Sequence, residues 1–317
     1  MTLLFLIAKR LMLGAVILLV VSMLIFIGTE ILPGDVAQAI LGQGATPELI
    51  ENVRVRLGLD QPATVRYINW LKNLLSGNLG ASLVSGADIG DLIGERIQNT
   101  LMLAGATTLI AVPLSLVLGL ICALKPNSLI DRMISGVSLS LISLPDFLVA
   151  IVLVMIFAVK LDWLPSIANL RPGQDFMTVL RMMVLPVTVL VFTVLAHMVR
   201  MTRTAVINVL SFPSTEMAIL KGVPRWRLLF VHALPNALAP IANVVALNLA
   251  YLISGIVVVE TLFNFAGLGR LMVESVTTRD IPVVQICALI FCSFYVVLNL
   301  MADIVAIVSN PRLRFPK

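Results

Sequence analysis

Charge is what this chain of 317 residues has least of: 22 Lys and Arg with 17 Asp and Glu make up 12% of it, about half the share usual in a soluble domain. A water-facing surface cannot be built from so few charges, so the composition excludes a soluble globule. Mean hydropathy is +1.05 and 59% of the residues are hydrophobic; most of that surface must face lipid or other helices. Aromatic residues are few, at 6%, and segments of about ten residues alternating in polarity are missing. Both absences argue against an outer-membrane barrel and for helices as the spanning structure. The three cysteines, Cys122, Cys287 and Cys292, form no CxxC pair, so neither a disulfide framework nor a cysteine metal site is expected. Two histidines, His197 and His232, are too few and too far apart for HExxH. No GxxxxGK[ST] loop occurs, so the chain does not bind a nucleotide by that motif.

What the sequence does have is apolar runs long enough to cross a bilayer, about 20 residues. They fall near 11–32, 101–124, 134–159, 182–198, 237–259 and 283–309, which predicts six spans. The first follows Lys9 and Arg10 as a signal peptide would. It exceeds the roughly 7 to 15 residues of a signal core and ends in Leu32-Pro33-Gly34-Asp35 rather than a small-residue cleavage site, so it is expected to be retained. Six spans put both termini on one side. The N-terminus, the 125–133 and 200–236 loops and the tail hold 12 Lys and Arg against Asp131 and Glu216, while the three other loops hold 10 against 12 acids. The positive-inside rule then places both termini and the 200–236 loop in the cytoplasm.

Residues 33–99 are too long for a simple connection. Thr46-Pro47 reads as a helix cap and first position, followed by Ile50, Val53 and Leu57 at helical spacing with Gly58 as a stop, and 60–75 can form a second helix ending at Gly77. The chain thus divides into a start and first span (1–32), an external helical insertion (33–99) and a core of five spans (100–317). Within the core, the 200–236 loop is the most informative. Ser214 can cap a short helix with Glu216 in its first turn, favourable to the helix dipole, and Gly222 can take the left-handed stop. Pro224 then opens a second short helix. A bland amphipathic linker would have the same basic composition, and composition leaves both readings open.

Glu216-Met217-Ala218, three residues, Gly222, nine residues and His232-Ala233-Leu234-Pro235 together resemble the EAA loop of ABC importer permeases. That pattern is Glu-Ala-Ala, three residues, Gly, nine residues, Ile, any residue, Leu-Pro; Met217 and His232 depart from it. The resemblance narrows to the dipeptide/oligopeptide/nickel branch and runs nearly end to end. It is carried by Leu32-Pro33-Gly34-Asp35, Leu57-Gly58-Leu59-Asp60 with Pro62, Gly77-Asn78-Leu79-Gly80-Ala81-Ser82, residues 200–203 and 257–260, Phe263, Gly267-Leu268-Gly269-Arg270, residues 279–285, Asp303 and Pro311-Arg312. Glu216, Met217, Ile219 and Leu220 replace the Arg-Thr-Ala-Arg-Ala run common in the peptide branch. Asn78 stands for a usual Asp, and Val36 and Ala266 for common prolines.

The resemblance implies an all-α, six-span permease of the ABC type I importer fold in a bacterial or archaeal cytoplasmic membrane. It implies pairing with a second homologous permease, two cytoplasmic ATPases that bind ATP and Mg, and an external substrate-binding protein. No enzyme activity, cofactor or metal is expected in this chain, and no nucleic-acid partner. Coupling to the ATPases is implied for Glu216, Ala218, Lys221, Gly222, Pro224, Arg225 and Trp226. Di- or oligopeptides are the implied cargo, with nickel chelates, glutathione or another small conjugate as alternatives. An ion-driven secondary transporter would need repeat-related broken helices and intramembrane coupling acids; the single insertion, the two deep acids and the EAA-like loop speak against it.

Several residues are read singly. Asp146 lies in the third span, where an acid costs about 2.5 to 3.5 kcal/mol on insertion scales. It is expected either to meet a cationic substrate group near the pathway or, where Pro145 frees a backbone carbonyl, simply to bond a neighbouring helix. Asp303, near the inner end of the last span, reads as a snorkelling or Arg-paired acid. Glu260, Phe263, Gly267 and Gly269 frame a loop that reads as either a gate over the pathway or a passive turn, the glycines permitting tight turns. The 14 methionines read as packing. Trp70 and Trp163 read as interfacial anchors, and Trp226 as a docking anchor.

Overall fold

The computed structural model describes residues 3–31, 46–56, 58, 60–170 and 173–309, with the side chains of Ser214, Glu216, Arg225 and His232 among those standing outside the description. The Leu32-Pro33-Gly34-Asp35 segment, Val36, Leu57, Leu59 and Pro311-Arg312 lie outside the described residues. In chain order, α1 is Leu3–Ile31, α2 Pro47–Arg56, α3 Ala63–Leu75, α4 Ile89–Leu124 and α5 Leu129–Ile142. α6 is Asp146–Leu153, continued by a π-helical stretch Val154–Lys160; α7 is Phe176–Leu210 and α8 Pro213–Leu220. α9, Arg225–Arg227, runs through a π-helical stretch Leu228–Ala233 into α10, Leu234–Leu262, followed by α11 Leu268–Thr278 and α12 Ile281–Ser309. An isolated antiparallel bridge between Ala81 and Asp88 is the one extended pairing among the described residues. The fold is all-α.

Among the described residues five helices are long and apolar enough to cross a membrane: α1 from Ile7, α4, α7, α10 from Pro240 and α12 to Ile304. The bent pair of α5 and α6 makes a sixth if counted as one span. That third span is not the straight run expected: it bends by 103° at Ser143-Leu144-Pro145. Proline has no N–H to continue the ladder and disfavours helical backbone in the residue before it, so α5 ends and α6 restarts with Pro145 in its N-cap position. α4 begins well before its apolar run, because its first turns carry Asp91, Glu95 and Arg96 and project beyond the apolar stretch.

Two compact units divide the chain, and neither is a continuous stretch: Met1–Gly14, Leu101–Phe265 and Tyr295–Lys317 form one, Ala15–Thr100 and Ala266–Phe294 the other. In the first unit α7 is the central element. Val189, Leu190, Val194 and Met198 of α7 pack with Leu103 of α4, Ala150 of α6 and Ile256 and Val259 of α10. A second cluster joins Ala123, Val206, Val209, Leu229, Ala237 and Ile241. Between the clusters α4 and α7 approach so closely that a Cβ on Gly119 would sit 2.8 Å from Thr202 Cβ. Asp303 pairs with Arg10 at 2.8 Å.

In the second unit, Thr46 opens α2 by accepting from the Leu49 and Ile50 amides, and Gly58 and Gly77 take left-handed φ of 65° and 83° after α2 and α3. Asp280, buried just before α12, accepts hydrogen bonds from Ser82 Oγ at 2.5 Å and the Leu83 amide at 3.0 Å. This clamp fixes the 78–88 turn to the start of α12. Gln285 donates to Thr29 Oγ1 at 2.7 Å, tying α12 to the end of α1.

Candidate functional site

Three places gather the expected site residues. The first is the segment from α7 to α10. α8 begins at Pro213, with the Thr215 amide donating to the Phe212 carbonyl at 2.9 Å, so Ser214 is inside the first turn and is not the cap the sequence suggested. Proline at the first position explains the shift, since its missing N–H is one that a helix start leaves unbonded anyway. At the other end Lys221 N donates to Met217 O at 3.1 Å and Val223 N to Ala218 O at 3.2 Å. Gly222 lies between them at φ 79°. A six-to-one bond closing over a left-handed glycine is the helix stop that glycine favours for want of a Cβ. Pro224 then accepts from the Leu228 amide at 3.0 Å and opens α9.

This helix–glycine–helix unit is held from one side and bare on the other. Thr215 is buried and its hydroxyl donates to Val209 O at 3.1 Å, while Leu228 and Leu229 are buried beside α7. Met217, Leu220, Trp226, Phe230 and Val231 are exposed, Leu220 at 78%, with Lys221, Gly222, Pro224 and Arg227 exposed among them. Ala218 is half-buried. An exposed apolar group rimmed by cations, on a segment firmly seated on its own side, is what a protein-binding surface looks like.

The loop is anchored by a contact that the sequence reading missed. Arg203, two turns before the end of α7, binds Asp131 bidentately, Nε to Oδ1 and Nη2 to Oδ2 at 2.7 Å each. Asp131 is only 3% exposed and also accepts from the Asn127 amide at 2.8 Å. Planar guanidinium–carboxylate pairing fixes both helices in register, so α5 and the last turns of α7 move together.

The second place is at membrane depth. Asp146 opens α6, and its Oδ1 accepts from Thr193 Oγ1 at 2.9 Å. A Cβ on Gly255 would come within 3.7 Å of its Oδ2, so α6, α7 and α10 meet at this carboxylate. Toward the α9 end of the same helices His197 and Tyr251 face each other with ring centroids 6.1 Å apart. Beyond them Asn248 donates to Val244 O at 2.8 Å. Among the described side chains of α10 the exposed positions are 236, 240, 243, 247, 251, 254, 258 and 261, a single stripe at helical spacing. It carries Asn243, Tyr251 (57% exposed), Ser254 and Thr261. The exposed residues of α1, by contrast, include Val16, Leu19, Val20, Met23 and Leu24, all apolar. Neither Thr193, His197 nor the α10 stripe was singled out from the sequence; the polar residues at 243, 251, 254 and 261 were its available signal.

The third place is the segment after α10. Glu260 and Phe263 are fully buried, and Phe263 O accepts from the Ala168 amide at 2.8 Å. The left-handed residue of this turn is Asn264, at φ 55°. Gly267 is extended at φ −108° and precedes α11, while Gly269 is buried in its first turn. The tight turn assigned to the glycines therefore belongs to Asn264, whose short polar side chain tolerates that conformation. Ala266 O accepts from Asn99 at 2.8 Å, and the Leu268 amide donates to Thr100 Oγ1 at 2.8 Å. Among the described residues no group of three or more His, Cys, Asp or Glu could hold a metal ion.

Residues 115–315 match the family described as binding-protein-dependent transport system inner membrane component, and residues 2–104 match the N-terminal family of the same membrane components. A Sinorhizobium fredii protein named "Probable peptide ABC transporter permease protein y4tP" is 32% identical over 309 residues, 98% of this chain and 99% of that protein. The glutathione transport system permease protein GsiC of Escherichia coli K12 is 36% identical over 298 residues, 94% of this chain and 95% of its own length.

Proposed function

The chain belongs to the family of binding-protein-dependent transport system inner membrane components, and from that membership we propose that it carries di- or oligopeptides inward along the exposed polar stripe of α10. It is the permease subunit of an ABC importer, a multi-pass inner-membrane protein and not an enzyme; ATP is hydrolysed by separate ATPase subunits. It works in a complex with other transporter subunits. The composition we propose is a second homologous permease, two ATPases that hold ATP and Mg, and an external binding protein that delivers the cargo.

The observation carrying the route is the stripe itself. Hydrocarbon cannot satisfy hydroxyl and amide groups, so exposed Tyr251, Ser254 and Asn243 at membrane depth face water or protein. A peptide brings amides that such groups can bind, and its ammonium matches the Asp146 carboxylate at the same level. The α8–α9 segment is the surface received by an ATPase cleft, with Met217, Leu220 and Trp226 as apolar contacts and Lys221 and Arg227 at the rim. The basic excess of that segment and of the termini supports a cytoplasmic side for them. The 260–269 segment is the outer closure; opening it must withdraw Phe263 and Phe265, both fully buried, at a cost of about 1.5 to 3 kcal/mol for each ring exposed. Glutathione, itself a small peptide with an ammonium group, is the second reading.

The test is ATP-dependent uptake in proteoliposomes holding the full complex. Labelled di- and oligopeptides should accumulate only with the ATPases and binding protein present, and Asp146→Asn should lower uptake while the complex and its basal ATP hydrolysis persist. Accumulation of glutathione with exclusion of other peptides would transfer the cargo to the second reading. Uptake driven by an ion gradient without ATPases would reject both.

A further inference from the structure

The helix α3 belongs to the external helical insertion expected over 33–99, and its contacts run to α1, a helix long and apolar enough to span. Tyr67 hydrogen-bonds Ser22 at 2.9 Å, and the Tyr67 and Trp70 rings lie 5.4 and 6.3 Å from Phe26. Arg66 pairs with Glu30 at 2.6 Å. All four contacts fall between Ser22 and Glu30 of the α1 span, which ends at Ile31. At about 1.5 Å per residue, Phe26 lies roughly 8 Å short of that end and Ser22 roughly 13 Å. Phe26, against which both rings rest, lies at the depth to which an amphipathic helix sinks at the headgroup boundary, about 5 to 10 Å, and the Tyr67 hydroxyl reaches a few ångströms deeper to Ser22.

The sequence of α3 fits that position in three sectors around its axis. Tyr67, Trp70 and Leu74 are half-buried toward α1. On the adjoining flank Val65, Ile68 and Leu75 are exposed, Leu75 at 80%. On the third, Asn69 and Asn73 are exposed polar residues. Lys72, exposed on the apolar flank, has a stem long enough to lift its ammonium to headgroup level. A helix in water has no reason to leave such a flank bare, whereas one lying along a bilayer needs it, with Tyr and Trp at the boundary.

We infer that α3 is a membrane-surface helix whose Val65, Ile68 and Leu75 flank is seated among lipid acyl chains on the side of the membrane where α1 ends. The occupant is lipid, fixed by the depth of Ser22 and Phe26 on a spanning helix. The seat gives the insertion a rigid foot. The chain leaves α3 at Gly77 and passes directly into the 78–88 turn that Asp280 clamps, so the outer surface between α3 and α12 is held from two ends. This inference rests on α1 being a span and is independent of the cargo.

The test uses the full complex in phosphatidylethanolamine–phosphatidylglycerol vesicles, with single nitroxides on Val65→Cys, Ile68→Cys, Leu75→Cys, Asn69→Cys and Asn73→Cys in a transport-competent background whose native cysteines are replaced. Collision with oxygen, which partitions into lipid, should exceed collision with an aqueous nickel chelate several-fold at 65, 68 and 75, and the order should reverse at 69 and 73. Chelate access at all five sites would show a helix standing in water. Exclusion of both relaxers at 68 and 75 would show a protein partner on the flank. Either result overturns the lipid seat, whatever the transporter carries.

Discussion

Replacing Gly222 should uncouple ATP hydrolysis from transport, and the size of the effect follows from one dihedral angle. The residue stands at φ 79°, where an L side chain costs about 1 to 2 kcal/mol, more when β-branched. A Cβ there would meet nothing within 4 Å, so no packing clash adds to that cost. If Gly222→Val escapes to negative φ, the bond from Val223 N to Ala218 O is lost, worth about 0.5 to 1.5 kcal/mol. These are alternatives, so the variant loses about 1 to 2 kcal/mol by one route or the other, a sizeable part of the roughly 5.5 kcal/mol needed to throw a two-state element from one side to the other. Uptake per ATP hydrolysed, measured with both quantities in the same proteoliposomes, should fall about tenfold, since 1.4 kcal/mol is a factor of ten. Gly222→Asn, which tolerates the left-handed region, should stay within about threefold of the parent. Import by Gly222→Val at the parental rate per ATP would refute the reasoning. So would Gly222→Asn failing as badly as Gly222→Val, because the cost would then lie in the added side chain and not in φ.

The Asp131–Arg203 pair should behave as a unit: Asp131→Leu or Arg203→Leu alone should cost about 3 to 5 kcal/mol by leaving a partly buried charge unpaired, and the double Leu variant should recover much of that loss. Thermal unfolding of the purified complex measures it, and additive losses would deny the coupling. Gly119→Ala, set 2.8 Å from Thr202 Cβ and Cγ2, should push α4 from α7 and cost about 1 to 3 kcal/mol. Thr202→Val should be neutral or stabilising in the same melts, because the Thr202 hydroxyl is buried with no hydrogen-bond partner among the described residues and removing an unsatisfied group relieves its desolvation cost.

Run length and turn residues carried much of the fold into view. Apolar runs locate the spans because each must bury about 20 residues in lipid, and Gly58, Gly77 and Gly222 sit at positive φ where helices had to stop. Run length is blind to a helix that leaves the membrane, so the polar first turns of α4 were missed. It is also blind to a kink inside an apolar stretch, although Pro145 was there to be read. The Asp131–Arg203 pair joins residues 72 positions apart, and no local spacing announces a contact of that range. The stripe on α10 was legible in principle. Asn243, Tyr251, Ser254 and Thr261 share a helical face, but only the neighbours in three dimensions tell an exposed face from a buried one. The contacts of α3 were not legible either: it has the two charges Arg66 and Lys72 and the polar residues of a soluble helix, and its partners Ser22 and Phe26 stand on another element.

The claim on which the account turns is that the α10 stripe faces an aqueous route, and the reaction of single cysteines with a small, membrane-impermeant, cationic thiol reagent tests it most directly. A thiol must ionise to react, so one facing lipid stays inert. In the full complex with its native cysteines replaced, Tyr251→Cys and Ser254→Cys should be modified at rates that change when ATP binds to the ATPases, and transported peptide should slow the reaction. Leu19→Cys and Val20→Cys on α1 should stay unmodified. Inert cysteines at 251 and 254 in every nucleotide state, with uptake intact, would put the stripe against protein or lipid and contradict the route.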